Sequence, residues 1–238
     1  MSVDQPTEAT LAFLDRILTK PCRVLEVGCG EGRLAAGLQA RGFRVVAVDQ
    51  DAANVQRAQA RGVDAHCASF PDGPHVEVDA VLFTRSLHHV DELDAALASA
   101  RERLAPRGHL VVEDWAWEGV DSKTLTWAHS LFAALRAAGL PMAAEWQLDA
   151  DRLQRWQDEH EHHIHSSARW REAVAAHFEV LGVEPAPYFF RYCSRDLADE
   201  PAGRAVVESV LASERQGIAL GDLVPLGLNL WARPLPGV

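Results

Sequence analysis

The sequence has few cysteines, no long apolar run and a shortage of basic residues, and each lack excludes a class of protein. The four cysteines lie far apart with no C-x-x-C pair: Cys22, Cys29, Cys67 and Cys193. That spacing argues against a disulfide framework or a structural zinc site. No stretch approaches the roughly 20 consecutive apolar residues of a membrane-spanning helix. The first ten residues carry Asp4 and Glu8 and lack the pattern of a signal peptide, so we expect a cytoplasmic protein.

The charge balance is strongly acidic. Lysine and arginine number 23 against 34 aspartates and glutamates, a formal net charge of −11 over 238 residues. Such a chain repels phosphate backbones unless its basic residues are segregated, and no lysine-rich run is present. We therefore expect a small-molecule partner and no nucleic acid. We also expect no membrane partner, since no long apolar run is present, and a monomer or homodimer.

The first half alternates short apolar runs with helical patterns, which is typical of a parallel sheet with helices on both faces. The predicted strands are 22–27, 44–48, 64–67, 78–84 and 109–113. The predicted helices are 31–41, 51–61 and 91–104, the last with Asp91 as its N-cap.

The second half breaks this rhythm. Its predicted helices are 121–138, 147–158, 166–177 and 204–215, and its predicted extended segments are 178–184, 187–192 and 224–232. We predict an α/β fold with a Rossmann-like doubly wound sheet, mostly parallel with an antiparallel strand near the C-terminus, and an inserted helical lid. One domain spans 1–238, with 10–115 as its cofactor-binding half and 120–192 as a substrate cap with late strands.

The most informative segment is a glycine-rich turn after the first strand. Gly28, Gly30 and Gly32 occupy alternate positions, and Glu26 stands two residues before the first of them. Glycine lets a backbone turn sharply and approach a ligand closely. The spacing G-x-G-x-G differs from the G-x-G-x-x-G of a dinucleotide turn, and a buried acid at Glu26 needs a cationic or donor partner.

Asp49 ends the second predicted strand. A carboxylate there can accept hydrogen bonds from both ribose hydroxyls of an adenosine. Its alternative role is the N-cap of the following helix.

Three sequence features together carry a resemblance to a known family. They are Glu26-x-Gly28-x-Gly30-x-Gly32 followed by Asp49, the strand 78–84 with the loop 85–90, and the segment 104–110. The chain resembles the class I S-adenosylmethionine-dependent methyltransferases, well over about residues 10–115 and in outline beyond. Arg107-Gly108 stands where the family usually has two glycines.

The resemblance implies S-adenosylmethionine as cofactor and S-adenosylhomocysteine as product. Glu26 would lie near the methionine amino group, Asp49 would hold the ribose hydroxyls, and Gln50 would lie beside the adenine. The remaining cofactor residues implied are Gly28, Cys29, Gly30 and Gly32 at the turn, Ala68, Ser69 and Phe70 bordering the adenine, and Thr84 and Arg85 flanking the methionine part.

His88 and His89 follow the fourth predicted strand and are the candidate catalytic residues. Imidazole titrates near neutral pH, so either is a candidate general base for an acceptor that must lose a proton. The alternative is that one histidine only anchors its loop. Methyl transfer releases a neutral thioether, so alignment without any catalytic residue also remains open.

The candidate acceptor-binding residues are Glu113, His160, His163, Tyr188 and Arg191. Glu113 would bind a cationic or hydroxylated group, with a solvated strand end as the equal alternative, and Arg191 would pair with a carboxylate. The histidines at 160, 162, 163 and 165 include no i, i+4 pair, so we expect a solvated or acceptor-lining stretch and no metal site. Most tryptophans of the second half are expected in the core.

The sequence thus predicts a methyltransferase that acts on a small molecule by in-line transfer. A nicotinamide-dependent oxidoreductase is an alternative that the glycine spacing disfavours, and a non-catalytic S-adenosylmethionine-binding module is another. A nucleic-acid or protein methyltransferase is disfavoured by the acidic charge. The sequence at 84–87 also lacks the Asn/Asp-Pro-Pro-Tyr/Phe motif that suits amino groups of flipped bases.

Overall fold

A computed structural model describes residues 4–18, 22–142, 151–197 and 201–235. Its strands are β1 (Arg23–Val27), β2 (Arg44–Asp49), β3 (Asp64–Cys67), β4 (Val78–Thr84), β5 (Leu104–Trp115), β6 (Phe178–Ala186) and β7 (Gly227–Pro234). They form a sheet of order β3-β2-β1-β4-β5-β7-β6, mostly parallel with an antiparallel pair. The Rossmann-like sheet predicted from the sequence is confirmed.

Nine α-helices accompany the sheet in the described part of the chain. They are α1 (Gln5–Ile17), α2 (Arg33–Ala40), α3 (Ala52–Ala60), α4 (Leu93–Arg103), α5 (Ser122–Ala137), α6 (Arg152–Glu161), α7 (Ser167–His177), α8 (Phe190–Leu197) and α9 (Pro201–Ala219). Helix α1 was not predicted from the sequence. The predicted start of α6 is residue 147, and 147–150 lie outside the described residues.

The centre of the sheet is apolar on both faces. Leu25 of β1 pairs in parallel register with Val46 on one side and Val81 on the other, and it is 1% exposed. Strands covered by helices on both faces read as near-continuous apolar runs, which explains why these strands were predictable. Because the strands are parallel, the carboxyl ends of β1, β2, β4 and β5 meet at one edge of the sheet.

β5 begins earlier than predicted. Its first pair joins Leu104 to Val78, and the next joins His109 to Ala80, with a register shift between them. Residues 105–108, which lie between the predicted helix 91–104 and the predicted strand 109–113, therefore form an irregularity within the strand. An insertion of this kind is a bulge, which adds residues to one strand without ending it.

Two local predictions are wrong. Segment 187–192 is not extended throughout, because α8 begins at Phe190. The backbone N–H groups of Tyr188, Phe189 and Phe190 all donate to the carboxylate of Glu214, which satisfies donors at a helix start from a distant part of the chain. Asp91 does not cap α4, whose N-cap position is Glu92, without a side-chain cap.

The chain divides into two compact units. One comprises 9–114, 167–184 and 228–238 and holds an apolar core around Phe83, Leu97, Val112 and Trp170. The other comprises 1–8, 115–166 and 185–227. The division into a cofactor half at 10–115 and a cap at 120–192 stays a prediction. No helix in the described ranges is both long and apolar enough to cross a bilayer.

Four of the tryptophans predicted for the core are buried. Trp115, Trp117 and Trp156 lie in the second unit, whereas Trp170 lies in the first. Trp127 is half-buried. Trp146 lies outside the described residues.

Candidate functional site

The turn after β1 is built from three glycines in left-handed conformations. Gly28, Gly30 and Gly32 have φ of +74°, +53° and +73°. A Cβ on Gly28 would lie 2.5 Å from Cβ of Ser86, and one on Gly32 would lie 2.7 Å from Cβ of Ala58. A Cβ on Gly30 would meet nothing within 4 Å. Packing therefore requires glycine at the outer two positions, while the backbone at Gly30 borders open space.

Hydrogen bonds from neighbouring strands hold this turn. The N–H of Gly28 donates to the carbonyl of Val48 at 2.8 Å, and the N–H of Gly30 donates to Oδ2 of Asp49 at 2.7 Å. The other oxygen of Asp49 accepts from the N–H of Asp51 at 2.9 Å. Asp49 is not the N-cap of α3, because Asp51 fills that position.

A cavity of about 730 Å³ opens beside this turn. Of the predicted cofactor residues, the following line it: Gly28, Asp49, Gln50, Ala68, Ser69, Phe70 and Arg85. Five others lie outside its wall, at the strand ends or in the turn: Glu26, Cys29, Gly30, Gly32 and Thr84. All of these residues belong to one unit of the chain.

Sequence reasoning missed several residues of the wall. They include Asp51, Asn54, Pro71, Asp72, Ser86, Val90, Asp91 and Glu92. Most of them directly follow predicted residues in the loops after β2, β3 and β4. The ends of the predicted strands therefore indicate where the wall lies, and including a few more residues of each following loop would have found most of the missed wall residues. The wall carries more carboxylates than guanidinium groups, which favours a cationic ligand.

Glu26 is a buried carboxylate just before this turn, 2% exposed. Its Oε1 accepts from the hydroxyl of Thr84 at 3.4 Å, and its Oε2 has no hydrogen-bond partner. Burial raises the pKa of Glu26 to about 8, although the charge of Arg85 and the Thr84 hydroxyl oppose the rise. An orphaned oxygen in this position fits a ligand that brings a positive charge or a donor.

Arg85 adopts a left-handed conformation at the end of β4, with φ of +58°. Its N–H donates to the carbonyl of Glu113 at 2.6 Å, and its Nη1 lies 3.6 Å from Oε2 of Glu113. The same Oε2 accepts from the hydroxyl of Thr10 at 2.5 Å. Glu113 is 6% exposed, and its carboxylate contacts Thr10 and Arg85 of the same protein. Its contact with an acceptor stays a prediction.

The two candidate catalytic histidines have different environments. His88 is buried, and its Nδ1 lies 2.6 Å from Oδ1 of Asp114, which is itself fully buried. The N–H of His88 also donates to Oδ2 of Asp114 at 3.2 Å, so this pair anchors the turn Leu87–His89. His89 lines the cavity, with its ring centroid 4.1 Å from that of His88. Partial burial and the neighbouring His88 lower the pKa of His89, whereas Asp114 opposes the shift.

The other predicted acceptor residues belong to the second unit. His160 lies in the last turn of α6 among indole rings, with centroid distances of 4.4 Å to Trp156, 5.0 Å to Trp115 and 5.8 Å to Trp117. His163 is exposed in the turn after α6.

Tyr188 and Arg191 lie next to each other in this second unit. The Tyr188 ring stacks on Trp115 at 4.7 Å and 11°. Cζ of Arg191 lies 5.1 Å from the ring centroid of Phe190 and 6.0 Å from that of Tyr188. The roles of all four residues in binding an acceptor stay predictions.

Replacing Glu26 by Gln tests whether its carboxyl is protonated in the ligand-free protein. A folded-state pKa near 8 against an unfolded value of 4.5 means that the stability supplied by Glu26 is present at low pH and is lost as pH rises through 8. We expect the unfolding free energy of Glu26→Gln, measured with urea, to rise relative to that of the parent between these pH values, by about 4–5 kcal/mol at the alkaline end.

The exposed Glu77, replaced by Gln, serves as the matched control and should follow the parent at every pH. Parallel stability curves for the parent and Glu26→Gln would show that Glu26 ionises normally.

Comparisons with known proteins identify the family of the chain. A family model described as a methyltransferase domain matches residues 4–185. An uncharacterised methyltransferase of Mycobacterium bovis is 38% identical over 121 residues, which span 46% of this chain and 61% of that protein. A tRNA 5-carboxymethoxyuridine methyltransferase of Escherichia coli is 34% identical over 112 residues, spanning 41% of this chain and 43% of that protein.

A solved structure shares the fold across nearly the whole chain. It is a geranyl diphosphate C-methyltransferase of Streptomyces coelicolor, solved with S-adenosylhomocysteine, with a TM-score of 0.60 and 18% identity. The superposition covers 96% of this chain and 80% of that one. Because the family model spans well over half of the sequence, the chain belongs to the class I S-adenosylmethionine-dependent methyltransferases.

Proposed function

We propose that this chain transfers the methyl group of S-adenosylmethionine to a small-molecule acceptor by in-line displacement. The observation that carries the proposal is the buried, incompletely partnered carboxylate of Glu26 beside the open glycine turn. S-adenosylmethionine supplies a methyl group on a positively charged sulfur, together with a cationic amino group. Both charges suit a wall rich in carboxylates.

The residues of the site fit the parts of this cofactor. Glu26, whose Oε2 has no hydrogen-bond partner, would accept from the amino group directly or through water, and the open space at Gly30 would admit a ligand close to the backbone. Asp49 on the wall would accept from the ribose hydroxyls. Ala68, Ser69 and Phe70, which line the same cavity after β3, would border the adenine, with Gln50 nearby.

The proposed acceptor is a small molecule because the chain is acidic overall and its cavity wall is acidic as well. Both features oppose a polyanionic substrate. The Escherichia coli relative acts on tRNA by its name, and it aligns with 41% of this chain. RNA is therefore the second candidate acceptor.

We assign the proton-accepting role to His89. It lines the cavity, and its lowered pKa keeps the imidazole neutral near pH 7, as a general base requires. His88 is held by Asp114 and would position the turn that carries His89.

Two measurements test the proposal. Thermal unfolding with S-adenosylhomocysteine should raise the melting temperature, and NADH should not, because only a ligand of the folded state stabilises it. Incubation of cell extract with methyl-labelled cofactor should place label in the small-molecule fraction. If the label appears in RNA alone, the acceptor is RNA and the small-molecule proposal is wrong. If NADH alone raises the melting temperature, S-adenosylmethionine is not the cofactor.

Replacing His89 by Ala tests the proposed base. Loss of a general base should lower kcat by about 10²–10⁴-fold, while the affinity for S-adenosylhomocysteine measured by calorimetry stays close to that of the parent. The exposed His75, replaced by Ala, is the control and should turn over normally. Unchanged turnover in His89→Ala would leave alignment as the whole mechanism.

A further inference from the structure

Arg103 is a buried cation outside the residues assigned so far. It is the last residue of α4 and is only 4% exposed. Its Nη1 donates to the carbonyl of Ser99 at 3.2 Å and to the Ser99 hydroxyl. A guanidinium shielded from solvent is costly unless its donors are satisfied. Its partners therefore indicate what the burial achieves.

The remaining donors of Arg103 reach the loop between β3 and β4. Nη2 donates to the carbonyl of Pro71 at 3.0 Å, and Nε donates to the carbonyl of Pro74 at 3.3 Å. One side chain thus ties α4 to two points of the same loop. The loop also closes on itself, because the N–H of Asp72 donates to the carbonyl of Ser69 at 2.9 Å.

The same guanidinium supports the ring of Phe70. Cζ of Arg103 lies 5.2 Å from the ring centroid, within the range of a cation–π contact. The ring also meets Phe83 of β4 edge to face, with centroids 5.7 Å apart and an interplanar angle of 82°. Phe83 is fully buried, so it gives Phe70 a fixed neighbour. Phe70 itself lines the cavity.

We propose that Arg103 is a positioning residue for the adenine of the cofactor, acting through Phe70 and its loop. The inference rests on the proposed function, since it takes the cavity beside Phe70 as the adenine site. Arg103 sets the backbone at Pro71 and Pro74 and holds the Phe70 ring, so the adenine wall is formed before the ligand arrives. A wall that is already in place spares the ligand the cost of ordering it.

Lysine cannot replace arginine in this role. The planar guanidinium presents several donors in a fixed fork, whereas an ammonium group is a single point on a flexible stem. Arg103→Lys therefore keeps the charge and loses the simultaneous contacts with Ser99, Pro71 and Pro74. It is the conservative variant that separates geometry from charge.

A double-mutant cycle on the full chain tests the coupling, with the Kd for S-adenosylhomocysteine measured by calorimetry. We expect Arg103→Lys and Phe70→Leu each to raise Kd about tenfold, and the double variant also about tenfold, because both changes remove the same wall. Arg101→Lys, in the same helix turn, is the control and should stay within about twofold of the parent. If Arg103→Lys does not fold, Ser99→Ala takes its place, with an expected rise of about threefold that vanishes in the Phe70→Leu background.

The outcomes separate the two proposals. A parent that does not bind S-adenosylhomocysteine contradicts the proposed function. If the parent binds S-adenosylhomocysteine and Arg103→Lys has the same Kd, only the role of Arg103 is contradicted. Independent effects, which multiply to about a hundredfold in the double variant, contradict action through Phe70.

Discussion

Glu26 sets the main constraint on this site. Its carboxylate is buried near the end of a central strand, and a long hydrogen bond from the Thr84 hydroxyl and the backbone N–H of Ala35 only partly offset that burial, with Oε2 left without a geometric hydrogen-bond partner. Burying such a group costs free energy unless a cation or a proton joins it, which is why its pKa rises to about 8. The glycine turn directly after it opens the backbone at Gly30. The folded protein therefore holds a buried carboxyl group beside an open glycine turn, and a cationic ligand would stabilise the ionised form of that carboxyl.

The loops at the carboxyl edge of the sheet are each held by a polar contact. Ser86 donates its hydroxyl to the carbonyl of Val27 at 2.6 Å, Asp114 holds His88, and Arg103 holds the loop that carries Phe70. Because loops carry few apolar contacts of their own, these polar contacts determine how rigid the loops are. In the proposed function, they keep the walls of the cavity in place for alignment of methyl donor and acceptor, on which in-line transfer depends.

Sequence reasoning succeeded where the physical signal is local. The buried strands, the glycine turn and the acid at Asp49 are visible in short windows of residues. It failed where a distant residue decides the structure: Glu214 satisfies the N–H groups that start α8, although 24 residues separate it from Phe190. Arg103 was missed for the same reason, because a basic residue at a helix end usually signals only a favourable helix dipole. Nothing local reveals that it reaches Pro71 and Pro74.

Proton release on ligand binding tests the role of Glu26 most directly. S-adenosylhomocysteine is titrated into the protein at pH 7 in two buffers of different ionisation enthalpy, with Glu26→Gln alongside. A cationic amino group beside Glu26 would lower the carboxyl's pKa from about 8, so the parent should release about one proton that the variant does not. Binding with equal proton release in parent and variant would show that Glu26 does not receive the charge of the cofactor.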